Sequence, residues 1–349
     1  MKKICIPLLW VALLAGFLLL PKEIRATVYT QYTDVAKIYN YGSCPGMQGM
    51  AVGSQMLYTV KVDSTNTNSF ISMTDKDSGS TTMLYNADNG SYLFDYLGHA
   101  NDMDVWGIDD SSNLFVINHN VIYRLKRSGS NLTKVASYNL LYNGASTSAS
   151  AISVKSVSDG VITFITKLGM ELYTGTVSTS ATSADIELTK LCSLSKSKVY
   201  MQGQYVDLSS YVNQGMDYQS GMVFVPISGD ESHLNSSVIL VYNLEGAVGT
   251  ILPSEALVFQ ITCTDYPALL EIESCGICSD GKLYFNTNRR KTDSDTNHDG
   301  ISYVNDYTFV KPFRRSQHSD HSHPDCPQYR LRHLPAAPEE ILIPGRNHL

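Results

Sequence analysis

Five copies of one short pattern divide the chain, and the first is Gln48-Gly49-Met50-Ala51-Val52. The pattern is a polar residue, a small residue, a Met-like residue, a second small residue and an aliphatic or aromatic residue. The other copies are Asn101-Asp102-Met103-Asp104-Val105, Ser150-Ala151-Ile152-Ser153-Val154, Gln214-Gly215-Met216-Asp217-Tyr218 and Glu273-Ser274-Cys275-Gly276-Ile277. Their first residues are 53, 49, 64 and 59 positions apart. Internal repetition at this period is typical of propeller architectures.

An apolar strand is predicted after each copy, across a short turn. These strands are Met56–Val62, Leu114–Asn118, Val161–Thr166, Met222–Ile227 and Leu283–Thr287. Two further strands follow in the middle units: Val121–Lys126 and Leu132–Leu140, then Glu171–Val177 and Ile186–Leu191, then Val238–Asn243 and Ala256–Thr262. Four strands in each unit of about 50 residues describe one blade of a β-propeller.

The last unit has only three predicted strands, the third being Ile301–Val310. The missing strand is predicted at the other end of the chain, because Thr33–Asn40 resembles Thr133–Leu140, the fourth strand of the second unit. The sequence therefore predicts an all-β, five-bladed β-propeller whose last blade is closed by the N-terminal strand. Closure of this kind protects strand edges that would otherwise pair with other chains.

The composition supports a folded, acidic, β-rich protein. Of 349 residues, 43% are hydrophobic and 17% charged, and the formal net charge is −7. Residues 27–310 alone carry 16 basic and 28 acidic side chains. An acidic surface of this kind argues against nucleic acids and anionic membranes as partners.

Both ends of the chain differ from the repeated body. Lys2 and Lys3 precede the apolar run Ile4–Leu20, which predicts a signal peptide over residues 1–26. Cleavage gives a secreted or cell-surface protein, and a retained N-terminal anchor is the alternative. Residues 311–349 hold five of the nine His and six of the twelve Pro, and they lose the apolar alternation. This segment is predicted to be a disordered tail outside the propeller, and its origin stays open.

The cysteines do not predict a metal or redox centre. Cys275 and Cys278 form a C-x-x-C, but side chains three positions apart on a strand point to opposite faces. No second pair completes a zinc site. Burial as small apolar residues is expected, and disulfide pairing cannot be read from the sequence.

A ligand site is predicted at one mouth of the axial channel, where the first strand of each blade lines the axis. The leading polar residues of the five copies form the predicted ring: Gln48, Asn101, Ser150, Gln214 and Glu273. His99, Asp102 and Asp217 lie on or beside the same strands and complete the predicted ligand-binding set. Ordered water in a polar channel is the alternative use of any single ring residue.

The chain resembles the five-bladed propellers of helveticin J-type bacteriocins, teichoic-acid-biosynthesis-C-like proteins and the receptor-binding heads of some staphylococcal phages. The resemblance covers about residues 27–310 and rests on four ordered motifs: Gln48-Gly49-Met50, Gly98-His99, Asn213-Gln214-Gly215 and Glu271-Ile272-Glu273-Ser274. It implies a secreted or surface protein that recognises a bacterial envelope glycopolymer, with teichoic-acid-type polymers favoured. It transfers no catalytic residue to this chain.

A calcium loop is predicted in the fifth unit as the one candidate for a cofactor. Asp295, Asn297 and Asp299 alternate before Gly300, and Asp306 follows at the twelfth position, as in an EF-hand-like loop. Such an ion would brace the loop and would have no part in catalysis. Since the segment lies in a hairpin between strands, Asp306 could also point away from it.

Whether the protein is an enzyme stays open, and the sequence favours binding. Carboxylates on or beside the innermost strands offer the main alternative, a glycan-cleaving propeller: Asp102, Asp104, Asp217, Glu271 and Glu273. Glycoside cleavage requires two carboxylates facing each other at a defined separation. A passive scaffold with neither property is the third hypothesis. The identity of the glycan and the oligomeric state are not predicted.

Overall fold

The structure, a computed structural model, describes residues 27–107, 112–229 and 233–310. Among these residues it contains strands and turns but no helix. Consequently no described segment is a helix with the length and hydropathy needed to span a bilayer. The predicted signal peptide and the predicted tail lie outside the described residues.

Twenty-eight strands make up the described part of the chain. They are β1 (Thr27–Tyr29), β2 (Tyr32–Lys37), β3 (Gly46–Val52), β4 (Met56–Val62), β5 (Ser69–Asp75), β6 (Thr81–Met83), β7 (Tyr85–Asn86), β8 (Asp102–Trp106), β9 (Asn113–Asn118), β10 (Val121–Ser128), β11 (Asn131–Tyr142), β12 (Ala145–Ser146), β13 (Ala151–Ser158), β14 (Val161–Leu168), β15 (Glu171–Ser178), β16 (Ser183–Glu187), β17 (Thr189–Leu194), β18 (Val199–Met201), β19 (Gln204–Val206), β20 (Val212–Asn213), β21 (Asp217–Gln219), β22 (Met222–Ser228), β23 (Ser236–Asn243), β24 (Thr250–Ile251), β25 (Leu257–Thr262), β26 (Leu269–Ile277), β27 (Leu283–Arg290) and β28 (Gly300–Val304).

The strands form five main sheets, numbered here in chain order, and a separate β18–β19 hairpin. Sheet one is β3-β4-β5-β6, and sheet two is built on β8-β9-β10-β11. Sheet three is built on β13-β14-β15-β17. Sheet four runs from β20 and β21, which both pair with β22, through β23 to β25. Sheet five is β26-β27-β28-β2.

The first strands of the sheets contact one another in a closed cycle. β3 contacts β8, β8 contacts β13, β13 contacts β21, β21 contacts β26, and β26 contacts β3. Each first strand includes all or part of one copy of the repeated pattern. Meandering antiparallel sheets with their first strands arranged in this way have a propeller-like arrangement. The fold is therefore all-β and propeller-like, as the sequence predicts.

The N-terminal strand does pair with the last unit. β2 is antiparallel to β28, with Asp34 opposite Ser302. The observed bounds differ from the prediction, since β2 ends at Lys37 and not at Asn40. The predicted strand Ile301–Val310 is also too long, because the chain turns at Asp306 (φ 59°) after β28.

The predicted strand Ile186–Leu191 is two strands in the structure. β16 pairs in parallel with β11 of sheet two, whereas β17 pairs with β15 of sheet three. The physical reason is that Ile186 and Leu188 are buried in the layer between these sheets. Gly175 leaves room for them, because a Cβ there would lie 2.4 Å from Ile186 Cγ2.

Five apolar layers lie between neighbouring sheets, and one is much thinner than the others. Four layers contain between 13 and 16 buried apolar residues each. The fifth, between sheets five and one, contains seven, among them Ile38, Met47 and Tyr284. We call this fifth layer the seam, since it lies where the last sheet meets the first.

The outer edges of three sheets are covered by extra parallel strands. β1 pairs with β25 in sheet four, β7 and β16 pair with β11 in sheet two, and β24 pairs with β17 in sheet three. Among the described strands, the outer strands of sheets five and one, β2 and β6, have no such cover. Both uncovered edges adjoin the seam.

Candidate functional site

Asp102 lies at the centre of the cycle of first strands and is fully buried. Its Oδ1 accepts a hydrogen bond from Ser274 Oγ (2.7 Å). Its Oδ2 accepts bonds from the amides of Met216 (3.1 Å) and Ile152 (3.2 Å). The three donors belong to sheets five, four and three, so one carboxyl group joins four sheets.

The small residues of the repeated pattern make room for this carboxyl group. A Cβ on Gly49 would lie 2.6 Å from Asp102 Cα, and one on Gly215 would lie 2.9 Å from Asp102 Oδ1. Burial raises the pKa of Asp102 well above its usual range. Asp102, predicted to bind ligand, thus has both carboxyl oxygens engaged by the protein itself and joins the sheets at the axis.

Asp104, Ser153 and Asp217 form a second axial cluster two residues further along the strands, a rise of about 7 Å. Ser153 Oγ lies 3.1 Å from Asp104 Oδ2 and 3.4 Å from Asp217 Oδ1. Each carboxyl group also accepts an amide from the next sheet, Val154 N for Asp104 (2.5 Å) and Ile277 N for Asp217 (2.8 Å). Asp217, another predicted ligand residue, is therefore held away from the ring.

Burial raises the pKa of both carboxyl groups in this cluster, to about 6 for Asp104 and to about 7 for Asp217. The neighbouring charge of Asp104 adds to the effect on Asp217. Two carboxylates beside one hydroxyl proton cannot both ionise at low cost. The pair therefore retains a proton near neutral pH.

The polar mouth of the axis is built around two glutamates of β26. Gln214 Nε2 donates to Glu271 Oε1 (2.7 Å), and Asn288 Nδ2 donates to Glu273 Oε1. Glu273 is 5% exposed, and burial, followed by the nearby Glu271 carboxylate, raises its pKa well above its usual range. Asn288 Nδ2 also lies 3.4 Å from Glu271 Oε2, so the two glutamates share one amide donor. Gln214 and Glu273, both predicted ring residues, thus meet in one network.

β-bulges re-aim two of the five ring residues. The register of β26 on β27 shifts between Ile272 and Ser274, at Glu273. The register of β3 on β4 shifts between Met47 and Met50, where Gln48 lies. Bulges change the direction of a side chain without breaking the sheet. At the second bulge, Asn286 Nδ2 donates to the Gln48 carbonyl oxygen (2.5 Å).

Ser150 contacts a buried lysine that the sequence did not single out. Lys167 is fully buried, and its Nζ donates to Ser150 Oγ (3.2 Å) and to the Gly169 carbonyl oxygen (3.4 Å). Burial lowers the pKa of Lys167 to about 8, against the opposing charge of Asp102. The lysine thus brings a positive charge beneath a mouth that is otherwise acidic.

Three carboxamide oxygens at the mouth ends of strands are buried and have no hydrogen-bond partner: Asn101 Oδ1, Asn118 Oδ1 and Asn213 Oδ1. Asn101 is the ring residue of sheet two, and Asn118 ends the neighbouring β9. Asn213 directly precedes the ring residue Gln214. Buried polar atoms are normally paired, so unpaired acceptors mark places where water or a ligand supplies the donor. The sequence identified Asn101 but not Asn118 or Asn213.

His99 lies beside the mouth and joins two sheets. Its Nδ1 is 2.9 Å from Oδ1 of Asn66, in the loop after β4. Burial lowers the pKa of His99, so the ring is neutral at physiological pH. Asn66 has a positive φ of 56°, which asparagine tolerates better than most residues. His99 therefore helps to hold the segment that leads into β8.

The four predicted calcium ligands are not brought together. Asp299 is buried and lies 2.7 Å from Lys61 Nζ, while its other oxygen accepts the Arg289 amide (2.9 Å). Asp295 caps its own loop and lies 3.1 Å from His298 Nε2, whereas Asn297 contacts Asn40. Asp306 lies in the exposed turn after β28. Among the described residues, no group of three acidic, His or Cys side chains has a geometry that could hold a metal ion.

The C-x-x-C cysteines lie on different faces, as the strand geometry predicts. Cys275 packs beside Phe224 in the layer between sheets four and five, and Cys278 lies in the seam. All five cysteines in the described part of the chain are free.

No protein-family model matches the sequence, and no curated protein matches it significantly. Solved structures do match in part. An α-L-arabinofuranosidase from Podospora anserina is 9% identical, with a TM-score of 0.43 over 82% of this chain and 99% of that one. Regucalcin from Agrobacterium tumefaciens is 11% identical, with a TM-score of 0.40 over 81% and 96%. An endo-arabinanase from Bacillus licheniformis is 10% identical, with a TM-score of 0.38 over 76% and 96%. Likeness at this level carries no argument about activity.

Proposed function

We propose that the protein is a secreted or cell-surface binding module that recognises a bacterial envelope glycopolymer, of teichoic-acid type, at the polar mouth of the axis. One observation carries the proposal: Asn101, Asn118 and Asn213 leave three buried acceptor oxygens unpaired at that mouth. Polyol and sugar hydroxyl groups are donors that could satisfy them. The ring residues Gln48, Ser150, Gln214 and Glu273 would supply further contacts.

We also propose that the propeller has five blades, one for each main sheet. The closed cycle of first strands and the pairing of β2 with β28 support this count. Five blades place the five copies of the pattern around one axis, and the mouth then gathers one polar residue from each blade. Export through the predicted signal peptide would bring this mouth to the bacterial surface.

The arrangement of carboxyl groups favours binding over glycan cleavage. Glycoside hydrolases keep their two carboxyl groups about 5 Å or more apart, with the sugar between them. Glu271 and Glu273 accept hydrogen bonds from Gln214 and Asn288, so both carboxyl groups are already engaged by neighbouring amide side chains. Asp102, Asp104 and Asp217 accept amide bonds from neighbouring sheets and act as ties between them.

The test is retention of the purified protein on Gram-positive cell walls, before and after their teichoic acids are stripped. We expect retention that stripping abolishes. An Asn101→Leu variant should lose retention, because leucine cannot accept a hydrogen bond from the ligand. Asn139→Leu is the matched control, since Asn139 is exposed on β11 at the outer rim.

Equal retention on intact and stripped walls would refute the teichoic-acid proposal. Release of reducing sugar from wall glycans, abolished by Glu273→Gln, would establish the glycan-cleaving alternative. No retention together with no cleavage would leave the scaffold hypothesis, and the proposed binding function would be wrong.

A further inference from the structure

A cavity of about 630 Å³ opens at the outer part of the seam. One wall is β2 with the residues that follow it to Tyr41, and the other wall includes Phe70 and Ser72 of β5 and Thr81 and Met83 of β6. The seam has seven buried apolar residues, about half as many as the other layers. Between the other sheets, side chains fill the corresponding volume, whereas at the seam it is left as a cavity. This cavity has the size of a small-molecule site.

The walls of this seam groove are held in place by buried contacts. Lys61 is fully buried, and its Nζ donates to Asn40 Oδ1 and to Asp299 Oδ2 (2.7 Å). Asn40 Nδ2 in turn donates to the Thr296 carbonyl oxygen (3.0 Å). On the other side, a Cβ on Gly79 would lie 2.5 Å from the Val35 carbonyl oxygen. The groove is thus a preformed feature of the fold.

Aromatic rings and one cation line the groove. The Tyr39 side chain is 68% exposed, and Lys37 Nζ lies 5.0 Å from the centre of its ring. Tyr41 packs edge-on against Phe70 at 5.9 Å. Within the described part of the chain, Lys37 forms no ion pair. An exposed ring suits the C–H face of a sugar, and a cation beside it suits an anionic substituent.

We propose that the seam groove is a second binding site, which takes a phosphate-bearing sugar. The pyranose ring lies on Tyr39, and its phosphate group lies against Lys37. The Thr81 hydroxyl, on the opposite wall, is hydrogen-bonded to Thr74 Oγ1 (2.9 Å), and its oxygen has a further lone pair to accept a bond from a sugar hydroxyl group. None of these residues belongs to the mouth, so the site does not depend on the function proposed there.

The experiment titrates the protein with glucose 1-phosphate, glucose and inorganic phosphate, and follows binding by calorimetry or NMR. We expect glucose 1-phosphate to bind several-fold more tightly than glucose, the gain that one partly exposed charge pair gives. Lys37→Met should remove this difference, because it keeps the stem and loses the charge. Tyr39→Ala should weaken the binding of both sugars.

Lys134→Met is the matched control, because Lys134 Nζ also lies over a tyrosine ring, 4.2 Å from the centre of Tyr96, on the rim of sheet two. It should leave binding unchanged, as should the mouth variant Asn101→Leu. Unchanged affinity in Lys37→Met, or inorganic phosphate binding as tightly as glucose 1-phosphate, would overturn the proposal. Loss of glucose 1-phosphate binding in Asn101→Leu would also overturn it and would place that ligand at the mouth.

Discussion

The axial pair Asp104 and Asp217 should make the protein less stable as the pH rises toward neutrality, and Asp217→Asn should remove most of this dependence. In the folded protein the pKa of Asp217 is about 7, against 3.8 for an ordinary aspartate. A carboxyl group with a raised folded pKa binds its proton more tightly in the folded state. Its contribution is therefore neutral below about pH 4 and increasingly unfavourable from pH 4 to 7.

The size of the effect follows from the same two pKa values. A difference of about three pKa units corresponds to about 4 kcal/mol of stability. The folded protein loses this full amount only above pH 7. Asparagine has no proton to lose. Its amide oxygen can still accept the Ile277 amide, and its Nδ2, in the place of Asp217 Oδ1, can donate to Ser153 Oγ. At pH 8 the Asp217→Asn variant should therefore be more stable than the parent by up to about 4 kcal/mol, and at pH 4 nearly equal to it.

Urea unfolding at pH 4, 6 and 8 measures this difference directly. Asp265→Asn serves as the control, since Asp265 is exposed and lies in the loop between β25 and β26. The reasoning fails if Asp217→Asn lowers the stability at pH 8, or if its advantage over the parent is the same at all three pH values. The first result would mean that the carboxylate is a net stabilising tie between sheets. The second would mean that the pKa of Asp217 is the same in the folded and unfolded protein.

Three further predictions concern the ties between sheets. Asp102→Ala should lower the free energy of unfolding by at least about 3 kcal/mol, because three buried donors lose their acceptor, and Asp102→Asn should lower it less. Lys61→Met should lower the free energy of unfolding by about 3–5 kcal/mol, because it removes the ion-pair partner of the buried Asp299. Since Lys61 pairs with Asp299 in the parent, the melting temperature of the parent should be the same in calcium and in a chelator. Gly79→Ala should cost about 1–2 kcal/mol in thermal unfolding, because φ there is +69° and the Cβ would meet Val35.

The repeated pattern gives most of the fold because each of its positions has a direct physical cause. Gly49 and Gly215 must be small since neighbouring strands approach the axis there, and Met50 and Met216 are buried between sheets. The bounds of the second strands, such as β4, were predicted almost to the residue. A buried apolar run between two turns marks both ends of such a strand.

The misplaced strands depend on contacts that the local pattern does not contain. The segment around Ile186 splits because one half pairs with sheet two and the other with sheet three, which only the packing around Gly175 decides. The parallel pairing of β1 and β24 with outer strands is invisible for the same reason. A strand of two or three residues at the edge of a distant sheet is too short to show the period-2 alternation by which strands are predicted.

The sequence predicts which strands contribute residues to the mouth, but not which contacts their side chains make. The ring positions follow from the repeat, but Lys167 and Asn288 lie on second strands, and nothing in their own neighbourhood marks them. The partners of Asp102 could not be predicted, because they are two amides and one hydroxyl group from three other sheets. The contact of Asp299 with Lys61 could not be predicted either, because Lys61 lies 238 positions away in the sequence.

The pairing of β2 with β28 also sets the order in which this protein can be completed. Asp34 and Ser302 are 268 positions apart, so β2 leaves the ribosome long before its partner exists. At 5–20 residues per second, the wait is roughly 15–50 s. Throughout that time the first sheet has no neighbour on the seam side, and Lys61 has no Asp299. Until the last strands are synthesised, the seam side of sheet one, with Met47 and Leu57, therefore lacks its native cover.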